Sequence, residues 1–346
     1  MTGFSIAGRP IGPGHPPFVI AELSGNHNGS LDRALALLDA AAATGADAVK
    51  LQTYTPDTIT LDHDGPGFVI KGGLWHGRRL HELYAEAHTP WEWHEALFAR
   101  ARDLGVILFS SPFDATAIDL LESLGAPAYK IASFEAVDLP LIARAAATGK
   151  PLIISTGLCN LAEMADALDA AKAAPGVALL HCVSAYPAVF SDANLATIPD
   201  MAARFGCVIG LSDHTPGSAA AAAGVALGAA IIEKHITLAR ADGGPDAAFS
   251  LEPDEFVRLV TDCRQAWEAV GRVSYDVEGS EAANLQFRRS LYAVADIAAG
   301  EAFTPANVRS IRPGFGLAPK RLPEVLGRRA TRAIARGTPL SEDMLG

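Results

Sequence analysis

The sequence predicts an α/β fold, a (β/α)8 TIM barrel followed by a small C-terminal domain. Eight short apolar runs recur along the chain. Nearly every run ends in a polar or ionisable residue, and an amphipathic, Ala-rich segment follows most of them. Strands and helices that alternate in this way close into a parallel barrel, whose active site lies at the C-terminal ends of the strands. The eight runs are Val19–Leu23, Ala48–Thr53, Val106–Ser111, Ala128–Ser133, Leu152–Gly157, Val177–Ser184, Cys207–His214 and Ile231–Thr237.

Composition narrows the function classes. The chain has 346 residues, 49% of them hydrophobic, and a net charge of −11. A large core can therefore form, whereas a basic surface for nucleic acid or an anionic membrane is not expected. The four cysteines form no close ligand pair, and we find no signal-peptide pattern and no apolar run long enough to span a bilayer. We expect a cytoplasmic protein with reduced thiols.

The elements follow in order from the N-terminus. Residues 1–16 predict a short hairpin or cap, and residues 17–271 hold the eight βα units, close to the roughly 250 residues typical of this barrel. Expected helix caps are Ser30, Asp114, Gly45, Gly105 and Gly125. Expected barrel helices are Leu31–Thr44, Pro90–Leu104, Ala115–Leu124, Leu139–Ala147, Leu161–Ala173, Asn194–Phe205, Gly217–Leu227 and Pro253–Val270.

The connection after the second strand, from Tyr54 to Thr89, is long and rich in Gly, His and charged residues. Long loops at this face of a barrel often serve as lids or substrate walls. Phe68, Trp75 and Tyr84 favour such a role over an unstructured insertion, because burial of large aromatic side chains away from water is favourable. We expect this segment to cover or line the active site.

The C-terminal part of the chain differs in texture. Residues 272–286 are polar and predict a linker, and residues 287–346 have short strand-like pieces, Gly/Pro turns and several arginines. They predict a separate module of about 60 residues, a size at which independent folding is marginal. We expect this module to pack against another protein surface for stability.

Polar residues at the strand ends fall into pairs that share a face, because side chains two apart on a strand point the same way. Isolated polar groups are costly inside a barrel or beneath its helices. A shared polar pocket at the barrel mouth therefore explains them better. The pairs are Lys50 with Gln52, Ser212 with His214, and Glu233 with His235.

The two histidines of this set favour a metal site. His214 and His235 end the seventh and eighth strands, which are neighbours in a barrel. With Glu233 nearby, a shared divalent ion is a better explanation than two hydrogen-bonded structural histidines. Two protein ligands imply an open site, which suits Mn²⁺, Mg²⁺, Co²⁺ or Fe²⁺ better than a structural Zn²⁺. His181 is predicted to be a core residue.

Lys50 and Lys130 lie in strands, where a lysine is rarely buried without a partner. A Schiff-base aldolase needs one desolvated lysine beside a base, whereas two lysines with several hydroxyls suit a phosphate and a carboxylate. Glu22, at the end of the first strand, is the candidate general acid or base. The hydroxyls are those of Ser110, Ser133, Ser155, Ser184 and Ser212.

Long motifs, in order over essentially the whole chain, resemble the sialic acid synthase family. In the barrel they are AELSGNHNGSLDRA, AVKLQTYTPDTI, SSPFD, YKIASFE, STG, GLSDHT and IEKHITLARADGGPDAAFSLEPDE. RRSLYA, NVRSIRPGFGL and RGTPL resemble that family's C-terminal antifreeze-like (SAF) domain. The resemblance implies a metal-dependent condensation of phosphoenolpyruvate with an N-acetylated amino sugar and water, giving a nine-carbon 2-keto acid and phosphate.

The resemblance implies roles for single residues. It matches Lys50, Lys130, Ser133, Ser155 and Ser212 to a phosphoenolpyruvate clamp, with Ser110 a weaker member. It matches Glu22 to the acid or base, and His214 and His235 to ligands of a divalent metal (Mn, Mg or Co). Gln52, Tyr186 and Asp246 match sugar contacts. Arg312 matches the arginine that the SAF domain inserts into the partner's barrel, which implies a domain-swapped homodimer. We also place Glu233 among the catalytic residues and Ser184 among those that bind substrate.

One departure from the family pattern bears on the sugar. N-acetylneuraminate synthases usually read GPDHKAS where this chain reads GPDAAFS (Gly244–Ser250), and a wall of Ala247, Ala248 and Phe249 suits a 6-deoxy sugar with a second acetamido group. ELSGNHNGS, TPWEW and RADGG also resemble the branch that makes pseudaminic acid from 2,4-diacetamido-2,4,6-trideoxy-altropyranose. The alternatives are N-acetylneuraminate or legionaminate synthesis by the same chemistry, a Schiff-base aldolase, and a sugar- or ice-binding protein.

Overall fold

The structure, a computed structural model, describes residues 3–346 and divides into two units, one ending at Gly271 and one spanning Arg272–Gly346. In the first unit eight parallel strands, β3 to β10, form a closed barrel in which β10 pairs with β3. The predicted TIM barrel is confirmed. The strands are β1 Phe4–Ile6, β2 Arg9–Ile11, β3 Phe18–Glu22, β4 Ala48–Thr53, β5 Ile107–Pro112, β6 Tyr129–Ile131, β7 Leu152–Ser155, β8 Val177–Cys182, β9 Val208–Ser212, β10 Ile231–His235, β11 Ser290–Ala293 and β12 Val308–Ile311.

A helix follows each barrel strand, as predicted, and most of these helices are shorter than expected by a turn or less. Ser30 and Asp114 act as N-caps, accepting hydrogen bonds from the backbone N–H groups of Arg33 (3.3 Å) and Ala117 (2.9 Å). The helices are α1 Leu31–Ala43, α2 Pro56–Ile59, α3 Leu80–Ala87, α4 His94–Leu104, α5 Ala115–Ser123, α6 Leu139–Ala146, α7 Leu161–Ala170, α8 Thr197–Phe205, α9 Ala219–Ala226, α10 Pro253–Val270, α11 Gly279–Ala282 and α12 Leu322–Val325.

The lower half of the barrel interior is apolar. Phe18, Phe109 and Ile231 fill it, and Ile6 and Ile11 of the antiparallel hairpin β1–β2 belong to the same buried cluster. The hairpin lies within the segment predicted as an N-terminal hairpin or cap, of which residues 1 and 2 are outside the described chain. With this end filled by hydrocarbon, the polar strand ends lie at the other end of the barrel.

The segment from Tyr54 to Thr89, which we call the insertion, is not a continuous loop. It contains helices α2 and α3, and Val69 pairs with Arg79 in an isolated antiparallel bridge. Helices this short do not show a long amphipathic period, so the sequence pattern did not predict them.

The second unit has its own small core. β11 and β12 pair antiparallel, and Leu291, Phe303, Val308 and Leu340 lie among its buried side chains. The short helix α11 falls within the stretch predicted as a linker. Across residues 3–346, no helix has both the length and the apolarity needed to cross a membrane.

Candidate active site

A cavity of about 430 Å³ opens at the C-terminal ends of the barrel strands, a volume suited to small-molecule substrates. Strand ends provide its floor, and the insertion provides much of its wall. The lining residues from the strand ends and their loops include Ser24, Lys50, Gln52, Lys130, Ser133, Glu135, Ser155, Cys182, Tyr186, Ser212, His214, Glu233, His235 and Asp246.

Two lysines and two glutamates form a buried cluster on the cavity floor. Lys50 Nζ lies 2.9 Å from Glu22 Oε2 and 3.4 Å from Glu233 Oε2, and Lys130 Nζ lies 3.6 Å from Glu233 Oε1. All four side chains are at most 5% exposed. The register explains the cluster, since Glu22 pairs with both Lys50 and His235 across neighbouring strands. Glu233 thus lies between the two cations.

The pKa values of the two carboxyl groups are shifted in opposite directions. Burial raises the pKa of Glu22, which the attraction of Lys50 only partly offsets, and the nearby charge of Glu233 raises it further. Burial also opposes ionisation of Glu233, but Lys130, Lys50 and a hydrogen bond from Ser212 Oγ (3.0 Å) hold its pKa below the ordinary value. Burial lowers the pKa of Lys130 to about 8. Titratable groups pushed apart in this way can serve as acid and base.

The serines predicted for an anion clamp separate into two groups. Ser133, Ser155 and Ser212 line the cavity, and Lys130 Nζ donates a hydrogen bond to Ser155 Oγ (2.6 Å). The structure does not bring Ser110 there, because its hydroxyl pairs with Thr53 Oγ1 at 2.6 Å on the helix-facing side of the barrel. Ser111, the next residue, instead accepts a hydrogen bond from Lys50 Nζ (3.2 Å). The prediction of Ser110 was wrong by one position, which reverses the face of a strand.

Ser184 lies beside the cavity, 3.8 Å from Cys182 Sγ, and is half-buried. It packs over Gly157, where an added Cβ would come 2.1 Å from Ser184 Oγ. Glycine at this position therefore allows the loops after β7 and β8 to approach each other closely. Gly157 N also donates a hydrogen bond to Ser133 Oγ (3.2 Å).

His214 and His235 lie side by side, with ring centroids 5.3 Å apart. His214 Nδ1 is 3.1 Å from Val183 O, which assigns the proton to Nδ1 and leaves Nε2 with its lone pair. Burial, reinforced by the charges of His214 and Lys50, lowers the pKa of His235 well below its ordinary value, and its buried Nδ1 has no hydrogen-bond partner. Burial also disfavours the charged form of His214, but its hydrogen bond with Cys182 and the charge of that thiol raise its pKa overall. In their neutral forms the two imidazoles have free nitrogens and the donor chemistry of a divalent cation site.

The pair is not joined by a third ligand of the usual kinds. Within residues 3–346, no group of three or more His, Cys, Asp and Glu side chains is arranged to hold a metal ion. Any cation bound at the two histidines would complete its coordination with water or substrate oxygens. His181 lies apart, with its Nε2 2.7 Å from Ala193 O, in agreement with the predicted structural role.

The three residues matched to sugar contacts all reach the cavity. Gln52 Nε2 donates a hydrogen bond to Glu22 Oε1 (3.2 Å). The Tyr186 ring lies 4.5 Å from that of His214. Asp246 accepts hydrogen bonds from Ser24 Oγ and from Gly25 N, and burial raises the pKa of its carboxyl group.

The apolar wall of the cavity comes from a different segment than predicted. Of the described residues in the 247–249 turn, none lines the cavity, and Phe249 packs behind the histidines, 4.9 Å from the His235 ring. The insertion supplies the wall instead, as expected for Trp75 and Tyr84 but not for Phe68, which packs edge-on against His63. The wall residues of the insertion are Tyr54, Ile59, Ile70, Trp75, Leu80, Leu83, Tyr84 and Ala87.

Two ionisable residues of the cavity, Glu135 and Cys182, were not among the predicted site residues. Burial raises the pKa of Glu135 to about 7, and its Oε2 is buried without a partner, so it can offer a neutral carboxyl group to a polar ligand. Its only sequence signal is its place at the end of the YKIASFE motif. Cys182 also lines the cavity, with Sγ 3.8 Å from His214 Nδ1. Arg312 belongs to the second unit and is exposed there.

Comparisons with known proteins give a consistent set of relatives. The model described as the NeuB family matches residues 37–275, and the one described as the SAF domain matches residues 288–346. A pseudaminic acid synthase of Campylobacter jejuni (strain 81-176) is 46% identical over 94% of this chain and 95% of its own length. An N,N'-diacetyllegionaminic acid synthase of C. jejuni (strain ATCC 700819) is 36% identical over 91% and 96%. The crystal structure of an N-acetylneuraminic acid synthetase from Leptospira borgpetersenii has a TM-score of 0.74 at 31% identity, covering 83% of this chain and 96% of that one.

Proposed function

The chain belongs to the NeuB family, and we propose that it condenses phosphoenolpyruvate with 2,4-diacetamido-2,4,6-trideoxy-altropyranose and water to give pseudaminic acid and phosphate. The observation that carries the proposal is the buried cluster in which Lys50 and Lys130 share Glu233 at the barrel mouth. Two cations on one cavity floor, with serine hydroxyls beside them, suit a substrate that bears both a carboxylate and a phosphate.

Phosphoenolpyruvate binds on the floor of the cavity in this proposal. Lys50, Lys130 and the hydroxyls of Ser133, Ser155 and Ser212 contact its anionic oxygens. The four buried charges of the lysine–glutamate cluster cancel, so the bound anion brings an excess of negative charge. Protonation of Glu22, whose pKa is already raised, reduces that excess.

The residues of the cluster also handle the protons of the reaction. Carbon 3 of phosphoenolpyruvate attacks the aldehyde carbon of the open-chain sugar, and Glu22 donates the proton that turns the aldehyde oxygen into a hydroxyl group. Water adds at carbon 2 and gives a proton to ionised Glu233. The C–O bond to phosphate then breaks and leaves a ketone, with the departing phosphate taking the remaining hydroxyl proton. Lys50 and Lys130 stabilise the phosphate charge throughout.

His214 and His235 would hold a divalent metal ion, Mn²⁺, Mg²⁺ or Co²⁺. The free Nε2 of His214 and the unpartnered Nδ1 of His235 support this assignment. A cation bound there would polarise the aldehyde oxygen as a Lewis acid. The ring of Phe249 packs against both histidines and restricts their orientation.

The choice of sugar rests on the wall and on the relatives. Trp75 Nε1 donates a hydrogen bond to Pro245 O (3.0 Å), which fixes an apolar ring opposite Tyr186. Such a wall favours a 6-deoxy sugar, because a methyl group is buried there at no hydrogen-bonding cost. Gln52, Tyr186, Asp246 and the neutral carboxyl group of Glu135 offer polar contacts to the hydroxyl and acetamido groups. Legionaminate or N-acetylneuraminate synthesis is the second candidate, since it would use the same cluster.

Phosphate release separates these possibilities. We expect release from phosphoenolpyruvate with the 2,4-diacetamido-altrose sugar, and at most about 1% of that kcat/KM with N-acetylmannosamine, which lacks the second acetamido group. The mannose-configured diacetamido sugar serves as the control for stereochemistry. Preference for another sugar would move the chain to a different branch. Release from none of the three, by folded protein with Mn²⁺ present, would remove the synthase proposal and favour an aldolase.

We also propose that the active form is a domain-swapped homodimer. Loops at the barrel mouth expose Phe134, Leu158 and Phe190, each more than half accessible. The second unit likewise exposes Phe287 and Phe315. Burial of two such sets against each other in a dimer would remove apolar surface from water, and Arg312 would reach the anionic substrates of the partner's barrel. The free thiols agree with a cytoplasmic dimer.

Subunit mixing tests the exchange directly. Lys130→Met inactivates the barrel, and Arg312→Ala removes the exchanged arginine, so each variant alone should be nearly inactive. Mixed and allowed to exchange, they form hybrid dimers in which one intact barrel receives an intact arginine, and about a quarter of wild-type activity should return. Recovery that fails although hybrids are detected by mass spectrometry would show that each arginine serves its own chain.

A further inference from the structure

We propose that a buried ion pair between Lys234 and Asp213, on the helix-facing side of the barrel, positions His214 and His235 for cation binding. The inference rests on the metal site of the proposed function. Lys234 Nζ lies 2.6 Å from Asp213 Oδ2, and the two side chains are 1% and 2% exposed. Each member directly precedes one of the two histidines. They are positioning residues, because they face away from the cavity.

The ion pair and the histidine pair lie on opposite faces of the same two strand ends, because side chains alternate along a strand. In β10, Glu233 and His235 point into the barrel, so Lys234 between them points out toward the helices. Asp213 holds the same place between Ser212 and His214. The ion pair therefore joins, on one face, the two backbones that carry the imidazoles on the other.

The backbone register does not extend to the histidines. The paired residues of β9 and β10 end at Ser212 and Glu233, and Asp213 N donates to Glu233 O at 2.9 Å. His214 lies beyond these pairs, in a loop. A side-chain connection at Asp213 and Lys234 thus continues the link between the strands where backbone pairing stops.

The ion pair also fixes the turn that holds His214. Asp213 Oδ1 accepts hydrogen bonds from Thr215 N (2.9 Å) and Thr215 Oγ1 (2.8 Å), and Lys234 Nζ donates a second hydrogen bond to Thr215 O. Residues on both sides of His214 are therefore anchored to Lys234. This arrangement leaves little freedom for the imidazole to move away from His235.

The surroundings argue against a purely stabilising role. Neighbouring helix-facing positions carry Leu211, Ile232 and Ile236, which pack in the apolar layer beneath the helices. A buried ion pair is often no more stabilising than apolar packing of the same volume, whereas it is directional. Here the ion pair joins the same two strand ends that carry the two histidines.

Full-length wild-type protein and the double variant Asp213→Asn/Lys234→Met would be titrated with Mn²⁺, with free Mn²⁺ followed by electron paramagnetic resonance. The double variant removes both charges and nearly conserves volume. We expect its Mn²⁺ dissociation constant to rise about 10- to 100-fold, the usual effect of losing a residue that orients a metal ligand. The KM for phosphoenolpyruvate should stay within about twofold, because the lysine clamp is untouched.

A matched control is the ion pair between Arg9 and Asp47 at the closed end of the barrel, where Arg9 Nε lies 2.9 Å from Asp47 Oδ1. Arg9→Met/Asp47→Asn should lower the melting temperature without changing Mn²⁺ affinity. If the double variant at 213 and 234 folds and binds Mn²⁺ like wild type, the proposal is wrong.

Should the double variant fail to fold, Asp213→Asn alone decides. Its amide oxygen can still accept from Thr215, so the turn keeps its hydrogen bonds while Lys234 loses its counter-charge. Unchanged Mn²⁺ affinity in the folded variant would again overturn the proposal. Wild-type protein that binds no Mn²⁺ but still releases phosphate would overturn both the metal site and this inference, and would leave the condensation reaction standing.

Discussion

Glu22→Gln is expected to lower kcat for phosphate release by about 10²- to 10⁴-fold, the usual contribution of a general acid. Glutamine keeps the size of the side chain and can still accept the hydrogen bond that Ser24 N donates to Glu22 Oε1 (2.9 Å). It cannot donate a proton to the aldehyde oxygen. The KM for phosphoenolpyruvate should change much less than kcat, because Lys50 and Lys130 remain in place.

The pH profile provides a second measurement for Glu22. A general acid must be protonated, so wild-type kcat should fall as pH rises through the raised pKa of Glu22. This limb should disappear in Glu22→Gln. Glu163→Gln is the matched control, since Glu163 lies in the first turn of α7 and accepts a hydrogen bond from Asn160 N away from the cavity, and its rate should equal that of wild type. A kcat within threefold of wild type in Glu22→Gln would assign the proton to another group.

Removal of divalent metal is expected to have a comparably large effect. Treatment with EDTA should reduce phosphate release to about 1% or less, because the aldehyde then lacks its Lewis acid. Added Mn²⁺, Mg²⁺ or Co²⁺ should restore the rate. Activity that survives EDTA in metal-free buffer would favour the Schiff-base alternative, which borohydride trapping on Lys50 or Lys130 would then reveal.

Histidine variants connect this loss to the site. His235→Gln should abolish Mn²⁺ binding, because His235 is one of the two protein ligands of the proposed metal site. His181→Gln is the matched control, since His181 lies in β8, two strands from His235, and its Nε2 contacts Ala193 O outside the cavity. Equal Mn²⁺ affinity in both variants would place the cation elsewhere.

Much of the fold could be predicted because barrel strands and helices have strong periodic signals. Buried runs such as Leu152–Ser155 are continuous apolar stretches, and the cap at Asp114 marks a helix start with one hydrogen bond. Helices α2 and α3 lack that periodicity and depend on packing over the cavity. Tertiary contacts, which the local sequence does not encode, decide their position.

The residue types of the candidate site could be predicted from the sequence, but the strand face on which each side chain lies was harder to predict. Lys50 and Lys130 can be identified from the sequence because buried lysines are rare. Ser110 and Ser111 are chemically identical neighbours, so residue type does not distinguish them. Only the register, which pairs Ser111 with Gln52 across β4 and β5, decides which of them faces the cavity. The same difficulty concealed the link between Lys234 and Asp213. Asp213 and Lys234, which separate the candidate site residues along their strands, contact each other on the helix-facing side of the barrel.

The hairpin that fills the lower barrel has a kinetic consequence. With Ile6 and Ile11 closing one end of the barrel, both reactants of the proposed reaction would enter, and both products would leave, through the mouth. Lys50 and Lys130 lie on the floor beneath the mouth, and the aromatic wall proposed to receive the sugar lies above them. The deeper reactant must arrive first, and a bound sugar blocks it. Since the barrel is closed at one end, we expect compulsory ordered addition, in which phosphoenolpyruvate binds before the sugar. The sugar should act as a dead-end inhibitor when it binds first.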